Sequence, residues 1–317
     1  AAMDVLYYPD VIAEVVESCG MRAFVSATVI DQRSPDAESA SDSISKGVEF
    51  INRWKGRNSR IMPIFGPHAD YTLNADQLRA TREAANEAGI PISIHMSESP
   101  YELEYSKKTY GMTTIQLFES IGFLDGPTIG AHVVWPTDEE IPILVERKVG
   151  VIHNPTSNMK IASGISPVTK MLQAGVRMGL GTDGAASNND LDMFGEMRIA
   201  ALLAKGFAQQ ADVMPASAVL QMATLNGARA LGLGDRVGSL LPGKEADMIC
   251  VDLARAASQP VYSPVSQLVY TASRDQVTDA WVAGQHLLEA GLPTVVDTQD
   301  ILARAAAWGD KLRNRHV

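Results

Sequence analysis

Six apolar runs rich in β-forming residues alternate with amphipathic stretches along the chain up to residue 182. The runs cover residues 21–30, 60–67, 90–96, 128–133, 149–153 and 176–182. The stretches between them carry helix signals: Asn74 and Gln77 have the spacing of a capping box, and Gly89 follows the last periodic residue of the same stretch. Strands that alternate with helices predict an α/β fold with a parallel sheet, either doubly wound or closed into a barrel.

The alternation of side chains within the runs favours the barrel. In ISIHM, Ser93 and His95 fall on one face, opposite the isoleucines. By the same count, TIGAHV places His132 on the small and polar face and Ala131 on the other, and RMGLGTD ends its polar face at Asp183. One face suits packing against helices, and the other ends in a residue able to bind a ligand. This pattern is typical of an α/β barrel with a site at the carboxyl ends of its strands.

Histidines cluster at the ends of the predicted strands. Four of the six in the chain lie there, namely His68, His95, His132 and His153, and Asp183 ends the next strand. A single histidine is more often a hydrogen-bonded structural residue, but equivalent strand ends of a barrel converge on one mouth. Imidazole and carboxylate donors suit zinc or another first-row divalent ion. The sequence therefore predicts that Asp183 is a metal ligand in a catalytic site.

Glu98 follows His95 by three positions in HMSE. Once the strand ends, the chain must turn, and the turn can lift this carboxylate over the mouth of the barrel. A carboxylate beside a metal-bound water can carry its proton to a substrate. The alternative is a glutamate at a helix N-terminus, favoured only by the helix dipole.

Composition excludes several classes of protein. The chain has 317 residues, of which 46% are hydrophobic and 20% charged, so it can bury a large core. The net charge of -10 argues against a nucleic-acid partner. Cys19 and Cys250 lie far apart in apolar runs, which predicts two buried thiols in a reducing compartment. Without a membrane-spanning run or a signal segment in this sequence, we expect a cytoplasmic protein.

Two long strings identify a family. HNPTSNMKIASGISPV (153–168) and GVRMGLGTDGAASNNDLDMFGEMRIAALLAKG (175–206) closely resemble the metal-dependent amidohydrolases of the methylthioadenosine/S-adenosylhomocysteine deaminase and triazine hydrolase group. GPHADYT, IHMSES and LLPGKEADMICVD fit the same pattern, so the resemblance covers essentially the whole chain. It implies a hydrolase that acts on the C–N bonds of cyclic amidines.

The resemblance assigns roles to four residues of the cluster. It implies that His95 and Asp183 bind one divalent metal, expected to be zinc with iron as the alternative. It further implies that Glu98 carries the proton to the substrate ring nitrogen, and that His132 and Asp183 hold and orient the attacking hydroxide. In this family two more ligands come from an HxH motif at the end of the first barrel strand, and no HxH occurs in this chain.

Three further residues are assigned more loosely. His68 and Ser187 match positions that line the substrate pocket in the family. For His153 we expect a supporting role, behind the ligands or in holding a loop.

The resemblance also implies a domain organisation. We expect a (β/α)8 TIM-type barrel over residues 1–232, incomplete at its N-terminus, a portion of a small β-sandwich over 233–296, and a helix over 297–317 that packs on the barrel. Six strands are recognisable where such a barrel has eight. We therefore expect that a segment on the order of 100 residues precedes this chain in the native protein, with two strands, the HxH motif and half of the sandwich. An incomplete barrel would expose strand edges and apolar surface, so we expect a homo-oligomer.

The resemblance predicts hydrolytic deamination of an adenine nucleoside, a small-molecule substrate, with release of ammonia. Methylthioadenosine or adenosine is favoured over S-adenosylhomocysteine, because TVIDQRSPDAES offers only Arg33 for the carboxylate of the latter. Two alternatives stay open. The same residues could serve a triazine chlorohydrolase or aminohydrolase, or a deaminase of another heterocycle. The missing HxH also leaves room for a catalytically inactive structural relative.

Overall fold

A seven-stranded parallel sheet forms the centre of the computed structural model, which describes residues 1–313. The strands lie side by side in chain order and curl into an open half-barrel. They are β1 (Ala2–Asp4), β2 (Ala23–Val29), β3 (Ile61–Pro67), β4 (Ile92–Met96), β5 (Thr128–His132), β6 (Gly150–His153) and β7 (Arg177–Leu180). The α/β class and all six predicted strands are confirmed. The count of six was one too low, because β1 is too short to show a pattern of its own.

Helices join successive strands and continue beyond the last one. They are α1 (Pro9–Cys19), α2 (Ala40–Trp54), α3 (Ala75–Ala88), α4 (Pro100–Tyr110), α5 (Thr114–Ser120), α6 (Glu140–Glu146), α7 (Pro155–Lys160), α8 (Val168–Ala174), α9 (Ala185–Asn188), α10 (Met193–Ala208), α11 (Ala216–Ala223), α12 (Leu225–Ala230), α13 (Pro264–Tyr270) and α14 (Thr298–Arg313). The predicted capping box opens α3, where the Asn74 side chain accepts from the Gln77 backbone and the Gln77 side chain accepts from the Asn74 backbone. These caps fix where the helix begins and therefore how the next strand enters the sheet.

Both faces of the sheet are buried. The main core lies between the sheet and the helices, and includes Phe65, Ile92 and Ile94. A smaller cluster lies on the other face, where Phe24 and Ile64 pack with residues that follow β7 in the chain, namely Ala228, Leu233 and Val237. Parallel strands buried on both faces read as nearly continuous apolar runs, which explains why these strands are visible in the sequence.

A second sheet follows the barrel strands. It is antiparallel, in the order β11-β10-β9-β8, with β8 (Met248–Val251), β9 (Val277–Val282), β10 (Gln285–Glu289) and β11 (Leu292–Pro293). It corresponds to the expected sandwich portion, but a sandwich needs two packed sheets and residues 1–313 form only this one besides the barrel sheet. The domain boundaries at 232 and 296 stay predictions.

The C-terminal helix forms as predicted, as α14, up to Arg313. No residue of α14 is buried, and Trp308 is 59% exposed. The expected packing of this helix on the barrel therefore stays a prediction, and its last four residues, 314–317, lie outside the described part of the chain.

Two other expectations concern the surface. Cys19 is half-buried and Cys250 is exposed, so the prediction of two buried thiols was wrong: Cys250 lies on a strand of the small sheet whose residues are largely exposed. β1 and β7 are the two edges of the sheet, and Val11 and Val15 on α1 are each 58% exposed. Such edges and side chains suit an interface, but the homo-oligomer stays a prediction. Within residues 1–313 no helix is long and apolar enough to cross a bilayer.

One buried guanidinium ties the two sheets together. Arg22, just before β2, is 1% exposed and lies against the segment that leads into β8. Its Nε and Nη2 donate to the two carboxylate oxygens of Asp247 over 2.6 and 2.8 Å, and Nη2 also donates to Glu245 over 2.5 Å. This bidentate geometry fixes both distance and orientation, so it anchors the small sheet on the barrel.

We predict that Arg22→Ala lowers the free energy of unfolding by about 2 to 3 kcal/mol, since it leaves the partly buried Asp247 without its guanidinium and Glu245 with Arg236 alone. Arg147 is the matched control, because it also pairs with two acids, Glu119 and Asp125, but is 36% exposed. Arg147→Ala should cost less than about 1 kcal/mol. Urea unfolding measures both, and equal losses would contradict the anchoring role.

Candidate active site

Four of the predicted site residues meet at the carboxyl ends of β3, β4 and β5. The rings of His68 and His95 lie 4.9 Å apart, and those of His95 and His132 are stacked at 5.5 Å. Glu98 faces His132, with Oε1 3.8 Å from Nε2. The His132 side chain is 1% exposed and that of Glu98 14% exposed, so this pair is largely shielded from water. The predicted convergence of the strand ends is therefore confirmed for these residues.

His132 reaches the site by a route that the strand pattern did not predict. The pairing of β4 with β5 sets His95 beside Ala131 and Met96 beside His132. Alternation therefore puts Ala131 on the face of His95, and the predicted placing of His132 on that face was wrong. His132 and Val133 have φ of 73° and 46°, a left-handed turn that bulky residues rarely adopt. This turn brings the His132 ring into the mouth, and strained backbone of this kind concentrates at functional sites.

Asn158 on α7 fixes the orientation of His132. Its Oδ1 lies 2.8 Å from His132 Nδ1, so Nδ1–H donates to the amide oxygen and Nε2 carries the lone pair. His132 Nε2 is buried and has no hydrogen-bond partner in the described part of the chain. A lone pair held in this way can accept a proton from a water or substrate in the mouth. Sequence reasoning missed Asn158, although it lies in the string HNPTSN that carries the family resemblance.

His95 is oriented as a metal ligand would be. Its Nδ1 lies 2.9 Å from the backbone oxygen of His68 and donates to it, which leaves Nε2 free to bind a cation. Burial lowers the pKa of His95, and the neighbouring His132 lowers it further. The ring is therefore neutral, which is the form that binds a metal.

Asp183 lies just beyond β7 in a left-handed conformation, with φ of 63°. Its carboxylate accepts hydrogen bonds from Ser157 Oγ at 2.6 Å, Ser187 Oγ at 2.5 Å and the Gly184 backbone N–H at 2.7 Å. Burial raises the pKa of this carboxyl, but the three hydrogen bonds outweigh that effect and hold the pKa below its usual value. A carboxylate has about four lone-pair positions, so one is left for a cation.

Gly181 shows why small residues precede the aspartate. A Cβ at this position would lie 2.6 Å from Asn154 Oδ1 and 2.8 Å from Ile152 Cγ2. Only a glycine lets β7 approach the neighbouring strand end so closely, and this approach places Asp183 beside Ser157. Ser187, predicted to line the substrate pocket, contacts the Asp183 carboxylate instead, and its contact with substrate stays a prediction.

The donor set fits part of a metal site. His95 and Asp183 have the free lone pairs and protonation states of ligands, as argued above. Residues 1–313 contain no group of three or more His, Cys, Asp or Glu side chains placed to hold a metal ion. Catalytic zinc takes three protein ligands. The described residues thus fit two positions of such a site and do not complete it.

His68 forms the wall of the mouth opposite His132. Its Nδ1 lies 3.1 Å from Thr72 Oγ1, and the Tyr71 ring meets it edge-on at 5.7 Å. Burial, assisted by His95, lowers the pKa of His68 to about 4, so the ring is neutral. An aromatic, uncharged wall suits a flat heterocycle, and the assignment of His68 to the substrate pocket stays a prediction.

His153 lies outside the mouth. Pairing sets it beside Leu180, so by alternation it points away from the face that ends in Asp183. The ring is buried next to a small void that Ala200 and Leu203 of α10 also line. Burial lowers its pKa to about 3. The expected supporting role of His153 stays a prediction.

These buried histidines predict a loss of stability in acid. The pKa of His153 is about 3 when folded and about 6.5 when unfolded, so the unfolded chain binds more protons between these values. The stability contribution is complete above pH of about 6.5 and falls as the pH decreases below it. Urea unfolding at two pH values, about 7.5 and 5.5, should show that His153→Asn loses about 1 kcal/mol less on acidification than the wild type. Equal losses would contradict a neutral His153.

The fold and site together define a class. An α/β half-barrel that gathers histidines and carboxylates at the carboxyl ends of its strands is the framework of a hydrolase site. Residues 2–287 match the model of the amidohydrolase family, and the chain belongs to this family. The resemblance inferred from the sequence is thereby confirmed.

Three similar proteins place the chain within the family. It is 36% identical to a 5-methylthioadenosine/S-adenosylhomocysteine deaminase of Thermodesulfovibrio yellowstonii, over 98% of this chain and 71% of that protein. It is 40% identical to a 5'-deoxyadenosine deaminase of Methanosarcina acetivorans, over 98% of this chain and 71% of that protein. A crystal structure of an adenosine deaminase from Xanthomonas campestris with bound zinc superposes with a TM-score of 0.94, at 39% identity, over 98% of this chain and 70% of that one.

Proposed function

We propose that this protein is a hydrolytic deaminase of adenine nucleosides. The observation that carries the proposal is the shielded pair of Glu98 and His132, 3.8 Å apart beside the neutral His95. The similarity to deaminases of methylthioadenosine and of 5'-deoxyadenosine supports the choice of substrate class.

In the proposed reaction, water adds to the ring carbon that carries the amino group, and ammonia leaves. Glu98 takes one proton from the attacking water and gives it to the adjacent ring nitrogen, so that the electrons of the breaking C=N π bond have a place to go. It then carries the second proton of that water to the amino group, which leaves as ammonia. The 3.8 Å between Glu98 Oε1 and His132 Nε2 is too long for a hydrogen bond, so both atoms are available to a reacting group that lies beside them.

His132 and Asp183 act on the incoming water. Asn158 holds the His132 ring so that Nε2 can accept a hydrogen bond from that water. Asp183 is kept ionised by its three hydrogen bonds, and its negative charge favours a water whose hydrogens turn toward the carboxylate. The His132 acceptor and the Asp183 charge together orient the oxygen of that water toward the substrate carbon.

We infer that the site takes one divalent metal, held in part by His95 and Asp183. The zinc bound to the similar adenosine deaminase favours zinc, with iron as the alternative. When bound, such an ion supplies Lewis-acid assistance to the attack of water at neutral pH.

The 5' substituent of the nucleoside is inferred to be uncharged. Arg33, the basic residue expected to bind the carboxylate of S-adenosylhomocysteine, has a side chain that is 79% exposed and lies 3.3 Å from Glu38. An exposed arginine that already has an acidic partner adds little affinity. Methylthioadenosine, 5'-deoxyadenosine or adenosine is therefore favoured. A cytoplasmic homo-oligomer is the remaining part of this proposal.

The test is ammonia release from these nucleosides and from S-adenosylhomocysteine, together with chloride release from a chlorotriazine. The protein is expressed from its complete reading frame and supplied with Zn²⁺. We expect turnover of the adenine nucleosides and a decrease in kcat of about 10²- to 10⁴-fold in Glu98→Gln, which cannot exchange the proton. Glu104→Gln, an exposed residue of α4, is the control and should keep full activity.

Two results would contradict the proposal. Turnover of the triazine alone would move the substrate to another heterocycle. A protein that binds no metal and turns over none of the compounds would favour the inactive structural relative.

A further inference from the structure

We propose that Glu102 is a positioning residue that holds the backbone of Glu98 in its reactive place. This inference rests on the proposed role of Glu98. Glu102 lies in the first turn of α4 and is 0% exposed. It touches neither of the proposed ligands, so it would act through the loop that carries Glu98.

Both backbone N–H groups that donate to the Glu102 carboxylate belong to that loop. Its Oε1 accepts from the Ser97 backbone N–H and its Oε2 from the Glu98 backbone N–H, both over 2.6 Å. The Glu102 backbone N–H in turn donates to Ser99 Oγ over 3.2 Å, which caps the helix. One buried carboxylate thus satisfies two successive backbone donors, and hydrogen bonds in a buried setting are costly to lose.

The loop needs such a restraint because its backbone is strained. Ser97 has φ of 49°, in the left-handed region. Its carbonyl oxygen accepts from the N–H groups of Val134 and Trp135, over 2.9 and 3.0 Å. These residues follow the left-handed turn at His132. The Ser97 peptide therefore links both sides of the mouth, and its position sets the separation of Glu98 from His132.

Glu140 offers a matched control elsewhere in the fold. It also lies in the first turn of a helix, α6, and is 0% exposed. Its carboxylate accepts from the Thr137 backbone N–H over 2.6 Å and from the Thr113 hydroxyl. Glu140 has no hydrogen bond to the loop at 97–98. A change from Glu to Gln alters a buried carboxylate at either position, but only at Glu102 do both oxygens face backbone N–H groups, those of Ser97 and Glu98.

The experiment compares Glu102→Gln with Glu140→Gln by amide hydrogen exchange and by steady-state kinetics. Glutamine keeps the shape but turns one acceptor into a donor, which must face a backbone N–H. In Glu102→Gln we expect exchange to accelerate at least about 10-fold at Ser97 or Glu98. We expect kcat to decrease about 10- to 100-fold while KM changes little, because a misplaced acid slows the chemistry and leaves binding intact.

In Glu140→Gln any accelerated exchange should be confined to Thr137, with kcat nearly unchanged. Unchanged exchange at Ser97 and Glu98 in Glu102→Gln, or equal kinetic losses in the two variants, would overturn the proposal. If Glu102→Gln does not fold, Glu102→Asp keeps the carboxyl group but draws it back from the two N–H groups, and it should accelerate exchange at the same two amides. If it leaves them protected, the proposal is wrong.

Failure of the proposed function would look different. A wild type that releases no ammonia from any nucleoside contradicts the deaminase assignment. The exchange measurement still decides whether Glu102 holds the loop, since it needs neither metal nor substrate.

Discussion

Parallel pairing of the strands is the constraint on which the site depends. Because β3 to β7 all run in one direction, their carboxyl ends meet at one edge, and each contributes a loop to the same mouth. The pairing of β4 with β5 fixes His95 beside Ala131. A shift of this register by one residue would turn His95 away from the mouth. The burial of both faces of the sheet excludes such a shift, since it would place apolar and polar residues on the wrong sides.

The loops at this edge are held by buried hydrogen bonds rather than by packing alone. Left-handed backbone occurs at Ser97, His132, Val133 and Asp183, all in or next to the site. Each such residue costs of order 1 kcal/mol or more, and persists only where the surroundings fix it. Asn158 restrains the His132 ring, and Glu102 restrains the peptides of Ser97 and Glu98. The polar groups behind the reactive side chains thus fix the geometry in which they act.

The sequence predicts the strands and the reactive side chains of this site better than it predicts the residues that hold those side chains in place. His68, His95 and Asp183 follow strand alternation, so their convergence could be inferred from apolar runs and strand ends. The face of His132 could not, because its left-handed turn breaks the alternation. Asn158 and Glu102 act on atoms that are distant in the chain or belong to the backbone, and a pattern of residue types does not reveal such partners. The exposed Cys250 was missed for a related reason: its strand belongs to a small sheet and is largely exposed, which its apolar sequence does not show.

A crystal structure of the complete gene product, with zinc and a purine riboside that lacks the amino group, would test most directly whether His95 and Asp183 bind the metal and Glu98 meets the purine ring. We predict an anomalous peak at the zinc edge about 2.0 to 2.2 Å from His95 Nε2 and from the Asp183 carboxylate. We also predict a purine ring nitrogen within about 2.6 to 3.2 Å of Glu98. Zinc bound away from both residues, or a purine ring out of reach of Glu98, would contradict the prediction.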